Sequence, residues 1–218
     1  MISARLGRLL RSSSAAAEDH SDDACYVQYT LDADGRLKLN AKADVTLRIA
    51  GTQSTYGERG PKVSVRGRIS FDGGVTWTQI SSYRALRGGE LSVFKNVPVN
   101  SVILVEFEGR YSWVFRKTIQ SGQGSQGMKV LRRDSLVPNF TATLSRGKRT
   151  AFLKALTEDN GKIKGTWRDV VYMTEMTEPN NAGDFQDLVA VISIDKPQSS
   201  GGCAPTGAAS SSSRTRRT

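Results

Sequence analysis

The sequence predicts an all-β domain, specifically an antiparallel β-sandwich of jelly-roll type with one short helix. Apolar and polar residues alternate over several short segments, and two other segments are nearly continuous apolar runs rich in β-branched side chains. Glycine-containing turn sequences separate these segments at intervals of roughly eight to twelve residues, the spacing of a sandwich. The predicted domain spans residues 24–197, between an N-terminal tail (1–23) and a C-terminal tail (198–218).

Three segments alternate with a period of two, which indicates strands with one buried and one solvated face. The residues predicted to be buried in them are Leu37, Leu39, Val45, Leu47, Ile49, Val63, Val65 and Ile69. The apolar runs 101–107 (SVILVEF) and 188–194 (LVAVISI) predict strands that are buried on both faces. Residues 111–119, which include Trp113, form a further predicted strand.

Turn sequences fall where these strands should end. They are Asp34-Gly35, Asp72-Gly73-Gly74, Gly88-Gly89 and Asn160-Gly161. Residues 148–157 (KRTAFLKALT) form one amphipathic helical segment, which we expect to pack at one end of the sandwich. One helix is too little for a βαβ fold.

Charge is concentrated at the chain ends. The 218 residues carry a formal net charge of +10, and six arginines lie in residues 1–17 and 203–218, where there are no acids, so about +4 remains for the rest. This charge favours anionic surfaces without naming one. The first seventeen residues fit either a flexible basic tail or a mitochondrial transit peptide, and no stretch is apolar enough for a membrane span.

The sequence predicts no catalytic residues. His20, the only histidine, lies outside the predicted core, so a Ser-His-Asp or Cys-His site has no base. Glu106 and Glu108 share one side of a predicted strand, but a glycosidase needs two carboxyls facing each other across a cleft. Cys25 and Cys203 either pair in an oxidising compartment or stay as free thiols; both alternatives are open.

Residues 70–77 (SFDGGVTW) follow the pattern S-x-D-x-G-x-T-W at Ser70, Asp72, Gly74, Thr76 and Trp77. We expect Asp72 to accept hydrogen bonds from backbone N–H groups of its own turn, with Trp77 packed back over the hairpin. This segment resembles the Asp-box hairpin of sialidase-like propellers. The resemblance implies a stabilised hairpin; a carbohydrate-binding or carbohydrate-active domain is a further alternative, although the pattern occurs once rather than once per blade.

Residues 183–189 (GDFQDLV) resemble the D-F-N-D-L-V segment of bacterial extracellular β-sandwich domains, with Gln186 in place of the usual Asn. The resemblance implies an extracellular or cell-surface location, and calcium binding as in some relatives. The candidate calcium ligands are Glu175, Glu178, Asp184 and Asp187. The alternative is that these carboxylates only bond backbone N–H groups of the turn.

A nucleic-acid interface is the main alternative function, because cationic strands with interleaved aromatic residues bind single strands. Its candidate residues are Lys62, Arg66, Arg68, Arg110, Tyr111, Trp113, Arg116 and Lys117. Lysine and arginine on alternate positions also keep an exposed sheet face soluble. The sequence therefore favours a non-catalytic binding or structural module, with a protein or glycan surface as partner ahead of nucleic acid.

Overall fold

The computed structural model describes residues 27–52, 62–80, 85–113, 115–124, 127–138, 151–176, 185 and 187–197. These residues form two antiparallel sheets packed face to face, which confirms the all-β sandwich; the jelly-roll connectivity stays a prediction. The strands are β1 Tyr29–Leu31, β2 Leu37–Leu39, β3 Ala43–Thr52, β4 Ser64–Ser70, β5 Thr78–Gln79, β6 Leu91–Val97, β7 Val102–Tyr111, β8 Phe115–Gln120, β9 Met128–Leu131, β10 Asp169–Thr174 and β11 Leu188–Asp195. The helix α1 is Ala151–Leu156.

One sheet has six strands and the other has five. The six-stranded sheet has the order β1-β2-β7-β4-β5, with β8 also paired to β7. The five-stranded sheet has the order β6-β3-β11-β10-β9. None of the helical segments in the described part of the chain has the length and apolar character that crossing a membrane requires.

The main hydrophobic core lies between the two sheets. All eight residues that the alternating pattern predicted to be buried are buried. In the central strand β7, Ile103, Val105 and Phe107 face this core. Because successive strand residues point to opposite sides, the residues between them face outward on the six-stranded sheet.

A second hydrophobic cluster covers the part of the five-stranded sheet's outer face that β10 and β11 form. Alternate residues of β10 and β11 face this cluster rather than the inter-sheet core, which confirms the prediction that 188–194 is buried on both faces. Its members are Val137, Leu153, Leu156, Ile163, Val171, Met173, Phe185, Val189 and Val191. The cover comes from the described stretches 132–138 and 151–168, the second of which begins with α1.

The helix, predicted to pack at one end of the sandwich, lies over the outer face of the five-stranded sheet close to the end of β3. Phe152 of α1 lies directly over Gly51 of β3, where an added Cβ would come within 2.1 Å of the ring carbon Cδ1. The helix therefore packs on the face of the sheet. The physical reason is that β10 and β11 are apolar on both sides, so their outer side chains need cover as well.

The predicted strand 111–119 is also wrong as a single element. The chain reverses between β7 and β8, and Tyr111 pairs with Phe115. Ser112 has a left-handed backbone (φ 52°), which such a tight reversal requires. Trp113 stands at the tip of this hairpin with 93% of its surface exposed.

Candidate functional site

A charged depression lies on the outer face of the six-stranded sheet. Its volume is about 260 Å³. Its lining comes from four strands and consists of Arg66, Gly67, Arg68, Gln79, Glu106, Glu108, Arg110, Arg116 and Thr118. The opposite side of the same strands carries Val65, Phe107 and Ile119, which are buried in the core. The alternation that builds the core therefore also collects these polar side chains on one face.

Strand register decides which charges meet. Across β4 and β7, Arg66 is opposite Glu108 and Arg68 is opposite Glu106. Across β7 and β8, Arg110 is opposite Arg116, so two cations face each other directly. Four arginines and two glutamates line the depression, which leaves an excess of two positive charges.

The two ends of the depression differ in how their charges are balanced. At one end, Arg68 donates to both carboxylate oxygens of Glu106, with Nε–Oε1 at 2.7 Å and Nη2–Oε2 at 2.9 Å. This hydrogen-bonded pairing raises the pKa of Arg68. The guanidinium carbon also lies 4.7 Å from the centre of the Trp77 ring, in a cation–π contact. This end is therefore electrically neutral and firmly held.

At the other end, three guanidinium groups lie near one carboxylate, and two of them contact it. Glu108 accepts a hydrogen bond from Nε of Arg110 and lies 3.1 Å from Nε of Arg116. None of the described residues forms a hydrogen bond or ion pair with the guanidinium of Arg66, which lines the same depression. The pKa of Arg110 is lowered, first by desolvation and then by repulsion from Arg116 and Arg66. The excess positive charge lies at this end.

The residues of the predicted nucleic-acid interface are only partly brought together. Arg66, Arg68, Arg110 and Arg116 line the depression, and Trp113 stands at the tip of the β7–β8 hairpin. Lys62 is exposed just before β4.

Two of the candidates lie elsewhere. Lys117 belongs to the opposite side of β8, where its Nζ donates to the carbonyl of Glu175 at 3.0 Å, so its place in the predicted interface is wrong. Tyr111 shares the odd-numbered side of β7 with Phe107, which faces the core. Gln79 and Thr118 line the depression without having been predicted.

The hairpin at 70–77 is held by its own side chains. Asp72 Oδ1 accepts hydrogen bonds from Ser70 Oγ (2.7 Å) and from the N–H groups of Val75 (3.0 Å) and Thr76 (2.9 Å). Its Oδ2 accepts from the Thr76 hydroxyl at 2.6 Å. These bonds, led by that from the Thr76 hydroxyl, hold the pKa of Asp72 far below its usual range. Asp72 is therefore engaged by its own turn; the family resemblance stays a prediction.

The acidic segment also uses its described carboxylates locally. Asp187 Oδ2 accepts the N–H of Met176 at 2.6 Å, and Glu175 Oε2 accepts the N–H of Phe185 at 3.3 Å. Both carboxylates are buried. Among the described residues, no group of three His, Cys, Asp or Glu side chains is placed to hold a metal ion.

Several candidates of the sequence lie outside the described residues. They are Glu178, Asp184, Cys25 and Cys203. Calcium binding by this segment stays a prediction.

Comparison of the chain with protein-family models, with curated proteins and with solved structures gives no match.

Proposed function

We propose that this domain is a non-catalytic module that binds an anionic partner in the depression on its six-stranded sheet. The observation that carries the proposal is the end of the depression where Arg110 and Arg116 share the carboxylate of Glu108 and Arg66 adds a third guanidinium group to the same lining. An anion that enters there replaces repulsion between guanidinium groups with charge-assisted hydrogen bonds. Guanidinium groups suit phosphate and carboxylate because their N–H groups form planar, paired donors.

The chemistry of the lining supports binding rather than catalysis. The side chains around the depression offer guanidinium, amide, carboxylate and hydroxyl groups, and no imidazole or thiol occurs among its described lining residues. Glu106 accepts two hydrogen bonds from one arginine, so both of its carboxylate oxygens are engaged by a neighbouring side chain. The Oε1 atom of Glu108 contacts both Arg110 and Arg116.

Thermal unfolding of the full chain with inorganic pyrophosphate tests this function. A ligand that binds only the folded state raises Tm, so we expect pyrophosphate to raise Tm at constant ionic strength. The double variant Arg66→Gln/Arg116→Gln should lose this rise. Its matched control is Arg48→Gln/Arg87→Gln, which removes two exposed cations outside the depression and should keep it. An equal rise in both double variants would refute the proposed site.

A further inference from the structure

We infer that the anion is the backbone of a single-stranded nucleic acid, whose phosphates lie on Arg66, Arg110 and Arg116 while a base stacks on Trp113. This inference rests on the proposed anion-binding function and adds a ligand class to it. It depends on an exposed aromatic ring, on its position relative to the arginines, and on the concave shape of the site.

Trp113 is exposed where burial would stabilise the protein. Its 93% exposure is the highest of the exposed large hydrophobic side chains in the described part of the chain. An aromatic ring gains free energy from burial, and an exposed hairpin tip normally carries small or polar residues. A base stacked on the ring would supply the missing contact, and every base offers a flat π-face for it.

The hairpin places Trp113 at the end of the two strands that carry the excess charge. Trp113 lies three residues after Arg110 and three residues before Arg116, and these two arginines face each other across β7 and β8. Ser64 of β4 is opposite Arg110 on the other side of β7. Arg66 lies two residues beyond Ser64, on the same face of the sheet and further from the hairpin tip. The three arginines therefore follow one another from the tip into the depression.

The far end of the depression carries a second aromatic contact. Arg68 lies over the ring of Trp77, and Arg68 is four residues from Ser64, which is about 13 Å along an extended strand. The arginines of the depression thus lie between Trp113 at one end and Trp77 at the other. Backbone-tracking cations combined with aromatic platforms are how proteins bind single strands without sequence preference.

The concave shape favours a strand over a lipid surface. The depression is lined from four strands, and Arg66 is only partly exposed within it. A flat bilayer headgroup layer would contact the projecting Trp113 and Arg116 but not a side chain recessed in the sheet. A flexible polyanion can follow the depression and contact both.

Fluorescence anisotropy with the full chain tests the inference. The probes are a labelled oligothymidylate of about ten nucleotides, within the site sizes known for single-strand domains, and a labelled inorganic polyphosphate with a matched number of phosphates. We expect the oligothymidylate to bind more tightly than polyphosphate.

Trp113→Ala should weaken oligothymidylate binding roughly tenfold and leave polyphosphate binding unchanged, and Trp113→Phe should restore most of the loss. Arg66→Gln/Arg116→Gln should weaken both probes relative to Arg48→Gln/Arg87→Gln. Because Trp113 is exposed, all of its variants should unfold at the wild-type Tm.

The possible failures separate the two proposals. If both probes bind equally and Trp113→Ala changes neither, while the arginine variant still weakens both, the nucleic-acid inference is wrong and anion binding stands. If Trp113→Ala reduces binding to phosphatidylserine vesicles but not to oligothymidylate, a membrane surface replaces nucleic acid. If the two arginine double variants bind both probes equally, both proposals are wrong.

Discussion

The two outer faces of this sandwich have opposite characters. On the five-stranded sheet, the outer residues Val171, Met173, Val189 and Val191 are apolar and lie buried beneath the stretches 132–138 and 151–168. On the six-stranded sheet, the corresponding outward positions of β4, β7 and β8 carry arginine, glutamate and threonine around an open depression. The same alternation of side chains thus presents apolar residues to a covering layer on one side and charged residues to solvent on the other.

Because of this difference, we expect the covered face to determine the stability of the domain and the open face to determine what it binds. Burial of apolar side chains is the main source of folding free energy, so substitutions on the covered face should act on stability. Exposed ion pairs contribute little to stability, so substitutions on the open face should act on binding. Each prediction below changes one side of this comparison.

The largest effect is expected for Leu153→Ala in α1. Leu153 is fully buried in the cluster between α1 and the outer face of the sheet, and truncating it leaves a cavity. We expect a loss of about 2–5 kcal/mol in the free energy of unfolding, measured by urea denaturation. Arg66→Gln on the open face is the control and should change stability by less than about 0.5 kcal/mol. Comparable losses in the two variants would contradict the division between the faces.

An intermediate effect is expected for Asp72→Asn in the hairpin that borders the open face. Because the folded pKa of Asp72 is lowered, its stabilisation is complete above the unfolded carboxyl pKa of about 3.9 and is lost as pH falls toward the folded value. The variant should therefore melt below wild type at pH 7, and the gap in Tm should shrink between about pH 4 and pH 2. Asp159→Asn, in an exposed turn, should show no gap at either pH. A gap for Asp72→Asn that is constant with pH would be inconsistent with these hydrogen bonds.

The smallest effect on stability, with a gain in binding, is expected for Glu108→Gln. Losing the carboxylate shared by Arg110 and Arg116 should change stability by no more than about 1 kcal/mol. It should tighten pyrophosphate binding severalfold, because one negative charge leaves the site. Isothermal titration calorimetry measures the affinity for pyrophosphate. The control is Glu158→Gln, which removes a carboxylate outside the depression and should leave this affinity unchanged. Weaker binding by Glu108→Gln would contradict the account, in which Glu108 competes with the anion for Arg110 and Arg116.

Much of the fold follows from local sequence patterns, whereas the site depends on long-range register. The alternation around Leu37, Leu47 and Val65 predicted the inter-sheet core because one buried face dictates a period of two. Strand β6 was not predicted because it breaks this pattern. It exposes Leu91 and Val93, and Asn96 has a left-handed backbone.

The depression itself could not be predicted in full. Arg66 and Glu108 are 42 positions apart in sequence, and only the pairing of β4 with β7 makes them neighbours. The position of Lys117 shows the same dependence. It follows Arg116 directly, yet the one-residue offset sends it to the other side of β8.

The most direct measurement of the central claim is nuclear magnetic resonance of the arginine side chains during a pyrophosphate titration. We expect the Nε–H resonances of Arg66, Arg110 and Arg116 to shift with one common saturating affinity, while that of Arg48 on the other sheet stays unchanged. Shifts of the same size at Arg48 and at the three arginines of the depression, or none at those three, would contradict the claim that the open face is the binding site.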